Sequence, residues 1–243
     1  MQVSDQTAER RNYRTIIFNS REGQGGSLGA RAYDLIYQKI VVMEYQPGTV
    51  LLEKELMADL SMGRTPIREA IQRLSAEGII EMHPNKVTMV RPITIQGTKA
   101  LFAALGVLEQ AVAKAALYQG STRGLERMEE AQEEMRLAVA QGEVADIVSC
   151  NQAFHHAFHH ASDNFYLIHA LKPVTFEMER LSHISFRHGL LPHQPVETVF
   201  GMVLREHDQI LKCIRNQKPE ELSRAITEHH ATFRKRIINY LTD

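Results

Sequence analysis

The chain has 243 residues, 44% of them hydrophobic, which is ample for one or two packed domains and excludes a chain disordered throughout. Its formal net charge of −1 excludes an argument for nucleic-acid binding from bulk charge. Counting Lys and Arg against Asp and Glu gives 12 against 11 over residues 1–95 and 16 against 18 over 96–243, so any such function rests on local placement.

Residues 1–26 carry Arg10, Arg11, Arg14 and Arg21 and end in glycines without an apolar period, which reads as a flexible, solvated arm. Leu28, Ala32, Leu35, Ile36, Ile40 and Met43 then predict a first helix, ended by Pro47-Gly48. A short helix is expected from Glu53 to Leu60, followed by Ser61-Met62-Gly63, about the turn length of a helix-turn-helix. In the next helix Ile67, Ala70, Ile71 and Leu74 form one apolar stripe, while Arg64, Arg68 and Gln72 step by four along another face. Thr65-Pro66 marks its start and Gly78 its stop. Two β-prone runs, 79–82 and 87–90, flank the turn formers Pro84 and Asn85. The order is that of a winged helix-turn-helix, whose third helix enters the major groove.

At Pro47-Gly48, Leu52-Glu53-Lys54-Glu55-Leu56, Arg64-Thr65-Pro66-Ile67-Arg68-Glu69-Ala70-Ile71, Arg73-Leu74 and Glu77-Gly78-Ile79-Ile80, the chain resembles the winged-helix domain of the GntR family of bacterial transcription regulators. The resemblance implies that Lys54, Arg64, Thr65, Arg68 and the wing residues Asn85, Lys86 and Thr88 face double-stranded operator DNA. Two positions depart from the family pattern: Gly63, where Ser or Thr is usual, and Asn85, where the wing usually has Gly.

A linker at 93–97 closes this domain of residues 27–92. Behind it, over 98–243, the pattern predicts an all-α antiparallel bundle of about six helices, near 98–118, 122–140, 143–161, 163–187, 196–216 and 219–241. The fold class expected is therefore mainly α, with the winged unit in front. Cys150 and Cys213 lie in separate helical segments without metal-like spacing and read as reduced thiols. Apolar runs look short and interrupted by charge, so no signal peptide or membrane span is expected, and the protein is read as soluble and cytoplasmic.

Within the bundle, Asn151 and His155 are four apart on a face with Ile147, Phe154 and Phe158, His207 lies in the stripe Val203, Ile210, Ile214, and His229 in Leu222, Ile226, Phe233. Polar groups aimed at apolar territory need partners, either each other, water or a metal. Leu108-Glu109, Asn151, Phe154-His155, Asn164, Glu206-His207 and His229 resemble the helical ligand-binding (FCD) domain of the FadR-type branch of that family. The resemblance implies a divalent transition metal, zinc or nickel, on Asn151, His155, His207 and His229, with Asn151 standing where the family usually has Asp. His159 is a candidate for the surrounding shell, and His156 and His160 are expected to face solvent.

Family members commonly bind a carboxylate through an arginine three residues before the Glu109 position, which here is Gly106; either the ligand is different, or another cation such as Arg180 or Arg187 substitutes, or the ligand's carboxylate binds an open metal position directly. The reading is a homodimeric regulator that binds a pseudo-palindromic operator and responds to a small-molecule effector, a carboxylate. Two alternatives stand beside it: a metal-dependent hydrolase using the three histidines, and a DNA-binding protein whose histidine cluster is purely structural.

Overall fold

The computed structural model describes residues 26–83, 87–119, 122–189 and 196–242, with backbone alone at 119, 186–189 and 199. The expected arm up to residue 25, the wing residues Asn85 and Lys86, and the side chain of Arg187 lie outside the described residues. The chain divides into two compact units after Pro92.

In the first unit, α1 spans Leu28–Val41, α2 Glu53–Asp59 and α3 Arg64–Ala76. Ser27 caps α1 by accepting from the Ala30 amide at 3.2 Å. The apolar stripe of α3, Ile67, Ala70, Ile71 and Leu74, is at most 4% exposed, against Ile36 and Ile40 of α1, both fully buried. Each buried Ile or Leu among them contributes roughly 1.5–3 kcal/mol. Helices α1 and α3 pack closely at Gly29, where a Cβ would lie 3.2 Å from Glu69 Cβ.

Helix α3 ends in a left-handed Gly78, φ +73°. The Gly78 amide donates to Ser75 O and that of Ile79 to Leu74 O, the paired closure of a Schellman motif. Its other end has no side-chain cap. Gly63 there has ordinary extended backbone, and a Cβ on it would meet nothing within 4 Å, so the missing hydroxyl is not imposed by space. The wing is an antiparallel pair, β1 Ile80–Met82 and β2 Thr88–Val90, in register Ile80 with Val90 and Met82 with Thr88.

The second unit holds α4 Ile95–Gln119, α5 Thr122–Gln141, α6 Val144–Ala161, α7 Phe165–Gly189, α8 Val196–Arg215 and α9 Pro219–Thr242. Helix α4 begins inside the stretch expected to be a linker. Thr94 supplies the reason, its hydroxyl accepting from the Gly97 amide at 3.0 Å and its carbonyl from Thr98 at 2.8 Å. Helix α4 also corrects the expectation of short apolar runs, because Ile95–Tyr118 is long and apolar enough to cross a membrane by length and composition. One face, with Phe102, Leu105, Val112 and Ala113, is buried in the bundle; Val107 and Tyr118 on another are each 73% exposed.

Helices α5 and α6 form a hairpin through Gly142, φ +72°, and close so tightly that a Cβ on Gly124 would lie 2.6 Å from Ala161 Cα. Met135, Val139, Ile147, Val148, Phe200 and Val203 make the core joining this hairpin to α8. Asn164 caps α7 through its side-chain oxygen, which accepts from the Tyr166 and Leu167 amides. Met128 and Met135 are core residues, and both cysteines are free thiols, Cys213 buried and Cys150 partly so.

Candidate functional site

On the first unit, Arg64 and Arg68 project from α3 with side chains 71% and 63% exposed, and Lys54 and Thr65 are exposed beside them. Glu53 of α2 orients both arginines: Arg68 Nε donates to Glu53 Oε1 at 2.9 Å, and Arg64 Nε lies 3.9 Å from Glu53 Oε2. An exposed pair of this kind contributes only about 0–1 kcal/mol to stability, so its consequence is the direction of the guanidinium groups. Side chains alternate along β2, and Thr88, expected to face DNA, shares with Val90 the face turned inward and is 9% exposed.

In the second unit α6, α8 and α9 bring His155, His207 and His229 together, with one ring nitrogen of each within 4.8 Å of the others. His155 Nε2 and His229 Nε2 are 3.2 Å apart. The neighbouring groups fix the tautomers. Gln132 of α5 spends its amide nitrogen on Leu204 O and Asp208 Oδ1, both at 2.8 Å, so its oxygen faces His207 Nδ1 at 3.1 Å and accepts from it. His207 Nε2 is then a bare lone pair, buried and without a hydrogen-bond partner. His229 Nδ1 donates to Glu206 Oε2 at 2.7 Å, which turns its Nε2 lone pair toward His155. Phe154 stacks on the His207 ring at 3.8 Å and 4°.

Burial, reinforced by His229, pushes the His155 pKa down to about 3, and burial drives that of His207 well below the ordinary imidazole value. Both rings are neutral at pH 7, the form that ligates metals. Asn151, 5% exposed, lines the same cavity one turn before His155.

Beside the three rings, Glu109 of α4 is held by His159 Nε2 at 2.7 Å and His230 Nε2 at 2.6 Å. Burial raises the Glu109 pKa, but the charge of His230 and the hydrogen bonds from both histidines more than reverse this and hold it well below the carboxylate range. His159 thus belongs to Glu109, while His156 and His160 are exposed and their rings lie 4.6 Å apart.

A cavity of about 50 Å3 opens against this cluster, lined among others by Leu105, Gln152, Met178, Glu206, His229 and Arg236. Leu105, one turn before Glu109, lines it, and Gly106 does not. Arg180 does not line it either. It is fully buried, its Nη1 donating to both Glu177 oxygens at 3.1 and 3.0 Å. The arginine on the cavity is Arg236, which the sequence reading missed although it extends the α9 face of His229 and Phe233 by one turn. Gln132 and His230 were likewise legible only as helix positions, because their partners lie on other helices, and Glu206 was legible only as part of the Glu206-His207 match.

The pairing of a winged helix-turn-helix with a helical unit enclosing a histidine-lined cavity is the build of bacterial transcription regulators that sense small molecules. The description "Bacterial regulatory proteins, gntR family" matches residues 28–90 and "FCD domain" matches residues 100–232. The chain belongs to the GntR family, with an FCD effector-binding domain.

It is 24% identical over 197 residues to the HTH-type transcriptional repressor RspR of Escherichia coli, covering 81% of this chain and 83% of that one. To the Nta operon transcriptional regulator of Aminobacter aminovorans it is 25% identical over 202 residues, covering 76% and 95%. Among solved structures, E. coli McbR/YncC superposes with a TM-score of 0.75 at 18% identity, covering 89% of this chain and 99% of that one. A putative GntR regulator from Rhodococcus sp. RHA1 gives 0.71 at 19% identity, covering 88% and 99%. The chain is a transcription regulator, and the hydrolase alternative is set aside because its domains and relatives are those of regulators.

Proposed function

We propose that the protein works in the cytoplasm as a homodimer that binds a pseudo-palindromic operator and changes its operator affinity when a small organic acid enters a metal-assisted site in the helical unit. The observation that carries the effector half is the bare, buried His207 Nε2 facing the rings of His155 and His229. A purely structural cluster would leave that nitrogen at a cost of about 1–3 kcal/mol, whereas a ligated one satisfies it. His155, His207 and His229 would hold the ion, zinc or nickel, with Asn151 as an uncharged fourth donor. A bound dication supplies positive charge that holds and polarises a carboxylate. The protein's part is to keep the imidazoles neutral and aimed, through burial, Gln132 and Glu206.

For the operator half, the support is the exposure of Arg64 and Arg68 and their common brace, Glu53. Guanidinium groups so directed suit guanine edges or phosphates, with Lys54 and Thr65 alongside. Dimerisation is supported by α4, whose outer face exposes Ala100, Ala103, Ala104, Val107 and Tyr118 around the charge of Lys114. Such a face is what a second copy would cover. An effector that favours one arrangement of the dimer shifts operator affinity by the ratio of its affinities for the two.

The test combines elemental analysis of protein purified without added metal, its melting temperature before and after chelation, and a gel-shift titration on DNA upstream of its own gene. The reading expects near-stoichiometric metal, a lower melting temperature on chelation and a retarded complex of dimer size. Absence of metal with no chelation effect removes the metal site, and absence of sequence-selective retardation removes the regulator mechanism.

A further inference from the structure

Two buried donors line the cavity beside the histidines with no hydrogen-bond partner among the described residues: the Gln152 amide nitrogen and Arg236 Nη1. Gln152 lies on α6 next to Asn151, and Arg236 on α9 two turns beyond His229, so they come from the same two helices that carry His155 and His229. A guanidinium stays protonated in proteins, and burying one of its nitrogens unsatisfied is costly unless an acceptor arrives. Burial weakens the Arg236 proton affinity, and the field of Glu206 opposes that effect. Glu206 itself gives Oε2 to His229.

We propose that Arg236 and Gln152 form the acid-binding end of the effector site, clamping the carboxylate of a small monocarboxylic acid. The proposal rests on the reading of the helical unit as an organic-acid sensor and assigns the residues that select the acid. Charge argues for a monoanion at this end of the cavity: Glu109 and Glu206 are engaged by His159, His230 and His229, and the one guanidinium of Arg236 matches one carboxylate better than a dianion such as phosphate. Size argues in the same direction, since a cavity of about 50 Å3 has room for roughly three to five waters, the scale of an acetate or propionate. Arginine supplies the charge-assisted pair and Gln152 one further N–H.

The experiment measures the melting temperature of the full-length protein in rising sodium acetate or propionate, with equal sodium chloride, acetamide and inorganic phosphate as controls. Acetate or propionate raises the wild-type melting temperature, and the three controls do not. Arg236→Met weakens the apparent Kd about 10- to 100-fold, Arg236→Lys keeps part of the response, and Gln152→Leu weakens it about 3- to 10-fold. Circular dichroism and an unchanged metal content confirm that each variant is folded. The assignment is overturned if Arg236→Met responds like wild type, if phosphate stabilises more than the carboxylates, or if the wild type responds to neither carboxylate. In the last case intact metal uptake and operator binding leave the wider reading in place, so the two failures are distinguishable.

Discussion

Replacing His207 with phenylalanine separates a metal ligand from a core histidine. The ring is fully buried and stacked on Phe154 at 3.8 Å, and phenylalanine retains that packing. Two polar changes oppose each other. The Gln132 oxygen loses its donor, costing about 1–3 kcal/mol, and the unpartnered Nε2 is removed, returning a similar amount. The metal-free variant is therefore expected within about 1 kcal/mol of the metal-free wild type. With metal at a hundred times Kd the wild type gains about 2.7 kcal/mol, and a domain of this size shifts by about 2–4 °C per kcal/mol, so its melting temperature rises by about 5–11 °C. The variant, lacking one of three imidazoles, gains little. Melting curves of both proteins, stripped and then titrated with zinc or nickel, measure this. An equal metal-dependent rise in His207→Phe would refute the assignment, as would no rise in the wild type.

Arg68→Ala removes an exposed guanidinium braced, among the described residues, by Glu53, so operator Kd in a gel-shift titration is expected to weaken about 10- to 100-fold with melting temperature unchanged within error; unchanged affinity contradicts the DNA face. Val107→Asp places a charge on the outer face of α4 and is expected to give monomers in sedimentation velocity at concentrations where wild type is dimeric, with helicity retained. His155 and His207 have folded pKa values below the unfolded value of about 6.5, so the unfolded chain takes up protons first as pH falls. Their stabilisation is present above that pH and lost below it, by up to about 1.4 kcal/mol per pH unit for each ring, and urea unfolding of metal-free protein at pH 7 and pH 5 reads it directly. Equal stability at the two pH values would mean that these rings are not buried neutral.

The helices were legible because periodicity is local. The α3 stripe, its glycine stop and the bundle helices follow from residues within a turn or two of each other, and the structure differs mainly at ends such as Thr94, whose cap extends α4 forward. The three histidines were legible as separate stripes on three helices, and the resemblance joined them. What the sequence could not convey is pairing across helices: Gln132 on His207, Glu206 on His229, and Glu109 between His159 and His230 join residues 23 to 121 positions apart. The inward side of Thr88 was not legible because a three-residue strand offers too short an alternation to say which side faces inward. Arg236 was missed because an arginine at a helical period from a histidine looks like any solvated surface residue until the neighbouring helices close around it.

Glu109 fastens three helices at one carboxylate. Its own α4 is the helix with the bare outer wall, and its two grips are on α6 and α9, the helices that carry His155 and His229. If an occupant of the cavity pries those two helices apart, the acid must release one histidine or be dragged with the other. The cavity's wall is thereby geared to the helix on its outside through one carboxylate, over no more than the width of one helix.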